Sequence, residues 1–212
     1  FCYYTKYTTN ETRNGAVMKV LIINGSVRES RATTRVVKWV EKTASSLGND
    51  VEFSTIDLKE LSLPMFDEPV SPMMNQNRVT EGNVKVWVDA LAEADGYVFV
   101  TPEYNHSMPS GLKNAIDYIA REVMRKPFTI VSHGVNGGAR AAENVKLALN
   151  ANIGAVPIAN TVTINGMVAY HELVSEDGEI NVEKLPEHTE SLKKALDALI
   201  WYTDALKTKR DT

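Results

Sequence analysis

The chain has 212 residues, of which 43% are hydrophobic and 24% are charged, and its formal net charge is −4. These totals fit one globular domain with a sizeable core, and they exclude the strongly basic surface that nucleic-acid binding requires. A single cysteine, Cys2, excludes an internal disulfide framework and argues against a cysteine-based metal site, so we expect a cytoplasmic protein.

The first 17 residues are polar and aromatic, and they lack the apolar middle of a signal peptide. Met18 is followed at once by an apolar run, so we interpret residues 1–17 as an N-terminal extension outside the core. We expect residues 18–212 to form a single domain. No apolar run approaches the roughly 18 residues of a membrane helix, so no association with a membrane is expected.

Five short apolar segments predict β-strands. The first, "KVLIIN" at 19–24, is almost continuously hydrophobic, which is typical of a strand buried on both faces. The second, "VEFSTIDL" at 51–58, alternates between apolar and polar residues and is predicted to lie nearer an edge of the sheet. The remaining predicted strands are 96–100, 128–132 and 156–164.

Apolar residues at helical spacing follow each predicted strand. The helix after the third strand is predicted to have an apolar face from Leu112 to Val123, with Ser107 as its N-cap and Pro109 in its first turn. Residues 62–78 show no periodicity and are predicted to form a long loop. Five alternations of strand and helix predict a parallel sheet with helices on both faces. The ligand site of such a sheet lies at the carboxyl ends of its strands.

Three polar loops follow predicted strands at that edge, at residues 25–31, 101–109 and 132–138. The first, "GSVRESR", matches neither the dinucleotide fingerprint nor the P-loop. Its glycine turn, hydroxyls and arginines at the start of a helix suit an anion such as a terminal phosphate monoester. The alternative is a capped helix start with solvated arginines. The candidate anion-binding residues are Ser26, Arg28, Ser30 and Arg31.

The second loop, "TPEYNHS", is stiffened by Pro102, and its main-chain groups and Tyr104 suit the edge of a flat heteroaromatic ring. The third, "SHGVNGG", contains three glycines, which permit close approach of the backbone to a ligand. The alternatives are a well-capped helix start and a flexible turn. His106 and His133 are expected to be loop residues that contact a ligand or nothing. No histidine pair has metal-ligand spacing on a helix, and no G-x-S-x-G elbow of a hydrolase occurs.

Four segments in collinear order resemble the NADPH-dependent FMN reductase family, from about residue 19 to about residue 165. They are "GSVRESR…VVKWV", "DLKELSLPMFDEP", "TPEYNHSMPSGLKNAIDY" and "SHGVNGGARAAENVKLAL". The run P-E-Y-N-x-S leading into L-K-N-A-I-D is highly specific. The resemblance implies an α/β protein with a flavodoxin-like, doubly wound, five-stranded parallel sheet. It also implies kinship with chromate, azo-dye and quinone reductases.

The resemblance implies a role for each candidate residue. The FMN phosphate would lie on the first loop, at Ser26, Arg28 and neighbouring amides, with Ser30 and Arg31 nearby. Arg31 occupies a position where many members carry serine, and His133 one where a tyrosine is expected. The isoalloxazine ring would rest largely on main chain, with the third segment at its pyrimidine end. The residues expected to contact the ring are Pro102, Glu103, Tyr104, Asn105, Ser132, His133 and Gly134.

The resemblance further implies an enzyme in which NADPH or NADH passes a hydride to N5 of FMN. A small-molecule electron acceptor, such as a quinone, an azo compound or free flavin, would then take the same place in ping-pong order. No side-chain acid or base is required, so no catalytic residue is predicted. A homodimer or a dimer of dimers is implied, with the flavin near the subunit interface.

Two other functions remain open at the level of the sequence. One is a non-enzymatic electron carrier of the flavodoxin type, and the other is a flavin-based redox-sensing binding protein. Carriers usually have a phosphate loop rich in serine and threonine and a strongly acidic surface. The two arginines of the first loop and the modest net charge favour the enzyme. Loop 62–78 is the candidate for an arm that faces a partner; alternatively, it only covers the edge of the sheet.

Overall fold

The five predicted strands form one sheet in a computed structural model, which describes residues 17–48, 51–151, 153–173, 180 and 182–210. The strands are β1 (Met18–Asn24), β2 (Val51–Asp57), β3 (Gly96–Pro102), β4 (Pro127–Gly134) and β5 (Val156–Asn165). All neighbouring strands are parallel, in the order β2-β1-β3-β4-β5. This is the flavodoxin-like order, and it confirms both the predicted fold and the place of β2 at an edge.

Helices connect the strands and cover both faces of the sheet. They are α1 (Thr33–Ala44), α2 (Leu58–Leu61), α3 (Gly82–Glu93), α4 (Ser110–Asp117), α5 (Ala139–Asn150), α6 (Gly166–His171) and α7 (Pro186–Arg210), with a short 3-10 turn at Val182–Lys184. Within the described ranges, none of the helices combines the length and hydrophobicity needed to cross a membrane. The same residues contain no group of side chains arranged to hold a metal ion.

Two hydrophobic clusters, one on each face of the sheet, form because successive side chains of a strand point to opposite faces. In β1, Leu21 and Ile23 face the cluster that contains α2, α3, α4 and α5. Val20 and Ile22 face the cluster that contains α1 and α7. The strand sequences are continuously hydrophobic because helices cover both faces.

The helix after β3 is shorter than predicted. Helix α4 ends at Asp117, whereas the apolar spacing predicted a helix as far as Val123. The N–H of Ile119 donates to the carbonyl of Ile116 at 3.0 Å, which closes a turn tighter than that of an α-helix. Ile119 and Val123 are buried all the same. Their spacing therefore reflects burial in a turn and not continuation of the helix.

Loop 62–78 is held against α4 by side-chain contacts. The amide of Asn114 donates to the carbonyl of Pro64 at 2.7 Å and accepts from the N–H of Phe66 at 2.8 Å. The Phe66 ring packs edge to face on Tyr118, with ring centroids 5.1 Å apart. These contacts explain how a loop without hydrophobic periodicity acquires a definite position.

The C-terminal part of α7 is anchored at the amino ends of the strands. The carboxylate of Asp95, which immediately precedes β3, accepts from Lys207 at 2.6 Å and from Arg210 at 3.1 Å. It also accepts from the backbone N–H of Lys19 at 3.1 Å. Because the Asp95 side chain is nearly buried, loss of one partner would leave a poorly solvated charge.

His133 is a buried strand residue and not the loop residue that was predicted. It is the next-to-last residue of β4, and its Nε2 lies 2.9 Å from the hydroxyl of Thr33, the first residue of α1. The imidazole therefore ties β4 to α1. Burial lowers the pKa of His133 to about 4, because a protonated ring would lose its hydration.

The depressed pKa of His133 makes its contribution to stability dependent on pH. Between pH 6.5, the usual pKa of histidine, and about pH 4, the pKa of His133 in the folded protein, the imidazole binds a proton in the unfolded chain but largely not in the folded protein. This contribution is therefore complete above pH 6.5 and is lost as the pH falls towards 4. We expect wild type to lose about 3 kcal/mol more than His133→Gln in free energy of unfolding between about pH 7 and pH 4.

Urea unfolding of both proteins at the two pH values measures this difference. His106→Gln is the control, because the His106 side chain is 73% exposed and its variant should follow wild type. Equal pH dependence of wild type and His133→Gln would contradict the assignment.

Candidate functional site

The carboxyl ends of β1, β3 and β4 lie side by side, because β3 is placed between the other two strands. The chain leaves β1 towards β2 on one side and returns through β3 on the other. The order of strands therefore reverses between β1 and β3, and the loops that leave these two strands diverge. Crevices at such switch points are the usual ligand sites of open parallel sheets. The three predicted loops all lie at this edge.

The first loop begins at Gly25, where the backbone comes very close to β3. The N–H of Gly25 donates to the carbonyl of Val100 at 2.9 Å, and a Cβ on Gly25 would lie 2.9 Å from the same oxygen. A larger residue would therefore displace the backbone. Ser26 is fully buried, and its hydroxyl lies 2.9 Å from that of Tyr104. This hydrogen bond joins the first loop to the loop that follows β3.

The rest of the first loop directs donors towards solvent. Among the described residues, the backbone N–H groups of residues 27–30 find no acceptor, and they precede the N-terminus of α1. Arg28 and Ser30 are exposed, and the Arg28 guanidinium lies 5.5 Å from the centre of the Tyr104 ring. A cavity of about 320 Å³ is lined by Glu29, Ser30, Arg31, Thr34 and Arg35. Free amides, a helix N-terminus and an exposed arginine form a donor set suited to an anion.

Arg31 differs from Arg28 in its surroundings. Its side chain is only 8% exposed, and its guanidinium donates to the carboxylate of Asp57 at 2.6 Å and to the hydroxyl of Thr34 at 3.0 Å. The other terminal nitrogen, Nη1, is buried and has no hydrogen-bond partner among the described residues. The charge of Arg31 is therefore already compensated by Asp57.

The loop after β3 is fixed to the sheet through its main chain. Pro102 is buried and ends β3 opposite His133 of β4. The N–H of Glu103 then donates to the carbonyl of His133 at 2.8 Å. The backbone at these residues is consequently held in one plane with the sheet.

A tight two-residue turn follows. Tyr104 and Ser107 exchange two backbone hydrogen bonds of 3.0 Å each. Asn105 and His106 between them have φ angles of +48° and +64°, as a type I′ turn requires. Such conformations are uncommon for residues other than glycine and cluster at functional sites. The prediction that Ser107 caps α4 is wrong: Pro109 occupies the N-cap position, because the Ser107 backbone belongs to the turn.

The carboxylate of Glu103 caps a helix that belongs to the neighbouring loop. It accepts from the backbone N–H groups of Arg140 at 3.0 Å and Ala141 at 3.4 Å, in the first turn of α5. The N-cap residue of α5 is Gly138, which has no side chain to serve these groups. This role was not predicted. The sequence feature that could have indicated this role is the pair of glycines directly before α5. Because glycine has no side chain, the first N–H groups of the helix need an acceptor from another part of the chain.

The glycine-rich loop after β4 folds back onto its own strand. Ser132 is buried, and its hydroxyl donates to the carbonyl of Gly137 at 2.9 Å. Gly137 and Gly138 have φ angles of +75° and +77°, and a Cβ on Gly138 would lie 2.8 Å from the backbone nitrogen of His133. Ser132, His133 and Gly134 lie within β4, so the loop begins later than predicted. These glycines serve packing between loop and strand.

The three loops are thus joined to one another, and the residues that join them were only partly predicted. Ser26 and Tyr104 were candidates, whereas the roles of Thr33 and Asp57 were not foreseen. They act through contacts between distant parts of the chain, which no local pattern marks. For Asp57, the available signal is its position at the carboxyl end of a strand beside the first loop.

A larger cavity, of about 550 Å³, lies between α1 and β2. It contains none of the predicted site residues. Its lining includes Glu41, Ser45, Val51, Phe53 and Thr55. β2 is an edge strand and β1 separates it from β3, so this cavity is not part of the crevice formed by the three loops.

Comparisons with known proteins identify the family and the fold. The family model of NADPH-dependent FMN reductase matches residues 18–168. An NAD(P)H-dependent FMN reductase of Schizosaccharomyces pombe is 40% identical over 128 residues, which are 60% of this chain and 64% of that protein. The chain therefore spans less than two thirds of this relative's length. A quinone reductase of Escherichia coli strain K12 is 32% identical over 138 residues, which are 62% of this chain and 69% of that protein.

The solved structure of a flavoenzyme NAD(P)H:(acceptor) oxidoreductase from Paracoccus denitrificans is similar in fold. The TM-score is 0.66 at 22% sequence identity, and the match covers 89% of this chain and 98% of that one. At this identity the likeness concerns the fold alone. The family model spans most of the chain, and it confirms the predicted family. The chain belongs to the NADPH-dependent FMN reductase family.

Proposed function

We propose that the protein binds FMN at the carboxyl ends of β1, β3 and β4 and oxidises NADPH or NADH. The electrons pass to a small-molecule acceptor such as a quinone, an azo compound or free flavin. The observation that carries this proposal is a loop of free N–H groups that is linked by the Ser26–Tyr104 hydrogen bond to the tight turn after β3, in a chain of this family. Quinones are the first acceptors to test, because a relative is named a quinone reductase.

The FMN phosphate is assigned to the first loop. The free N–H groups of residues 27–30 and the exposed side chains of Arg28 and Ser30 supply donors for its oxygens. The N-terminus of α1 adds a favourable field for the negative charge. Ser26 supports the loop from behind, because its hydroxyl is engaged with Tyr104.

The isoalloxazine ring is assigned to the main chain of residues 102–105, with residues 132–134 at its pyrimidine end. The Glu103 N–H and the Ser132 hydroxyl already have protein acceptors, so they hold the shape of the backbone. Burial keeps the imidazole of His133 neutral near pH 7, because its pKa is lowered to about 4. When bound, FMN supplies the hydride chemistry between nicotinamide and acceptor. The protein binds and orients the reactants and needs no titrating side chain.

Titration of the purified apoprotein with FMN tests the proposal directly. We expect saturable binding, measured by flavin absorbance and fluorescence, and rapid bleaching of the bound flavin when NADPH is added without oxygen. Free FMN with NADPH is the control. Failure to bind FMN would overturn the proposal. Binding without bleaching by NADPH or NADH would instead identify an electron carrier or a redox-sensing protein.

Initial rates with a quinone complete the same test. Because nicotinamide and acceptor are proposed to occupy one place in turn, double-reciprocal plots at several quinone concentrations should be parallel. Intersecting lines would contradict ping-pong order while leaving the reductase activity intact.

The substitution Arg28→Ala tests the phosphate assignment. Loss of one charge-assisted hydrogen bond is expected to weaken FMN binding by roughly tenfold to a hundredfold, as measured by fluorescence titration. Arg121→Ala is the matched control, because Arg121 is also exposed but lies between α4 and β4 at the other end of the strands. An unchanged FMN affinity in Arg28→Ala would refute the assignment.

We also propose that the protein acts in the cytoplasm as a homodimer or a dimer of dimers. Loop 62–78 supports a subunit contact, because Met65 and Met74 are 77% and 76% exposed on it. Replacing both methionines by glutamate is expected to shift the protein towards monomer in sedimentation velocity, since burial of the charges would oppose association. Leu147→Glu on α5 is the control at another exposed apolar position. A monomeric wild type would contradict the proposal.

A further inference from the structure

Asp57, the last residue of β2, holds both ends of the first loop. Its Oδ2 accepts from the side-chain amide of Asn24 at 2.9 Å and from the guanidinium of Arg31 at 2.6 Å. Asn24 is the last residue of β1, and Arg31 lies two positions before α1. The segment between them contains the residues assigned to the phosphate. A single carboxylate oxygen on the neighbouring strand therefore closes the loop at its two ends.

The contacts of Asn24 carry this restraint into the loop. Its side-chain oxygen accepts from the N–H of Ser26 at 3.4 Å, and its amide nitrogen also lies 3.4 Å from the hydroxyl of Thr34 in α1. Ser26 in turn contacts Tyr104. A continuous set of hydrogen bonds thus runs from Asp57 through the first loop to the turn after β3.

A further hydrogen bond joins the middle of the first loop to α2. Lys59 donates to the carboxylate of Glu29 at 2.6 Å. This hydrogen bond lowers the pKa of the Glu29 carboxyl below its usual value. The corner between β2 and α2 therefore contacts the loop at three points: Asn24, Glu29 and Arg31.

Arg31 and Arg28 differ in their surroundings and therefore in their roles in the loop. The Arg31 side chain is 8% exposed, and its charge is paired with Asp57, whereas Arg28 is exposed. Two of the three guanidinium nitrogens of Arg31 donate to Asp57 and Thr34, and these contacts fix the chain before α1. The compensating carboxylate, taken alone, would repel a phosphate on the same loop.

We propose that Asp57 is a positioning residue for the phosphate-binding loop and that Arg31 anchors the loop through its ion pair with Asp57. This inference rests on the proposed binding of FMN. Asp57 acts by holding the free N–H groups of residues 27–30 in one arrangement. The gain in preorganisation outweighs the repulsion between its carboxylate and the phosphate.

Asp57→Asn separates positioning from simple electrostatics, because the two explanations predict opposite changes in the affinity for FMN. If the charge alone mattered, removal of a carboxylate beside an anion would tighten FMN binding. If Asp57 positions the loop, the variant binds FMN more weakly. Asparagine still caps α2, whose first N–H groups Asp57 now serves through Oδ1, so this helix is preserved.

The measurement is fluorescence titration of the apoproteins with FMN and with riboflavin, which lacks the phosphate. We expect Asp57→Asn to lower the ratio of FMN affinity to riboflavin affinity by about tenfold, the effect of losing one charge-assisted hydrogen bond. Glu60→Gln is the matched control. Its carboxylate lies 4.0 Å from the same Arg31 nitrogen, but its side chain is 78% exposed and it makes no hydrogen bond to the loop. Its affinity ratio should remain that of wild type or rise slightly.

An unchanged or increased ratio in Asp57→Asn would overturn the inference, as would an equal loss of both affinities. If circular dichroism shows that Asp57→Asn does not fold, Asn24→Ala carries the test, because it removes the Asn24–Asp57 hydrogen bond and keeps the charge of Asp57. A lowered affinity ratio then supports positioning, and an unchanged ratio overturns it. A wild type that binds neither flavin would instead refute the proposed function, so the two failures are distinguishable.

Discussion

Glu103 is the residue on which the geometry of the candidate site depends. Its N–H donates to the carbonyl of His133, and its carboxylate receives the first N–H groups of α5, 37 and 38 positions later in the chain. Because α5 starts after two glycines in the left-handed conformation, no neighbouring side chain is available for this role. One side chain at the end of β3 therefore sets both the position of α5 and the shape of the glycine-rich loop.

Along the whole carboxyl edge of the sheet, side chains of one segment hold the backbone of another. Strands that are buried on both faces confine every irregular stretch of backbone to the ends of the sheet, where its polar groups require partners. Here the partners of one loop come from another: Asp57 holds the first loop, Tyr104 meets Ser26, and Glu103 holds α5. Loops restrained in this way present a fixed set of N–H groups. Main-chain groups of this kind need no change of protonation to bind a ligand.

The sequence was sufficient to predict the five strands and the edge at which the site lies. Burial on both faces of the inner strands leaves a continuous hydrophobic pattern, and glycines mark the close approaches of the backbone. Periodicity was misleading where burial occurs without a helix, as at Ile119 and Val123. His133 was expected in a loop because it adjoins glycine, yet its ring is buried against Thr33. The roles of Asp57 and of the Glu103 carboxylate depend on tertiary contacts, which local patterns do not encode.

The left-handed turn at Asn105 and His106 has a consequence for how this chain tolerates mutation. Asparagine and histidine both adopt positive φ more readily than most residues with a side chain, although at a greater cost than glycine. Glycine at residue 106 would relieve that cost, but it would also widen the range of conformations open to the turn before folding. Evolutionary drift at residue 106 is therefore expected to favour glycine, asparagine and aspartate. Ser107 takes part in the turn through its backbone, and its hydroxyl makes only a long hydrogen bond of 3.4 Å to Asn144, so its side chain is freer to change.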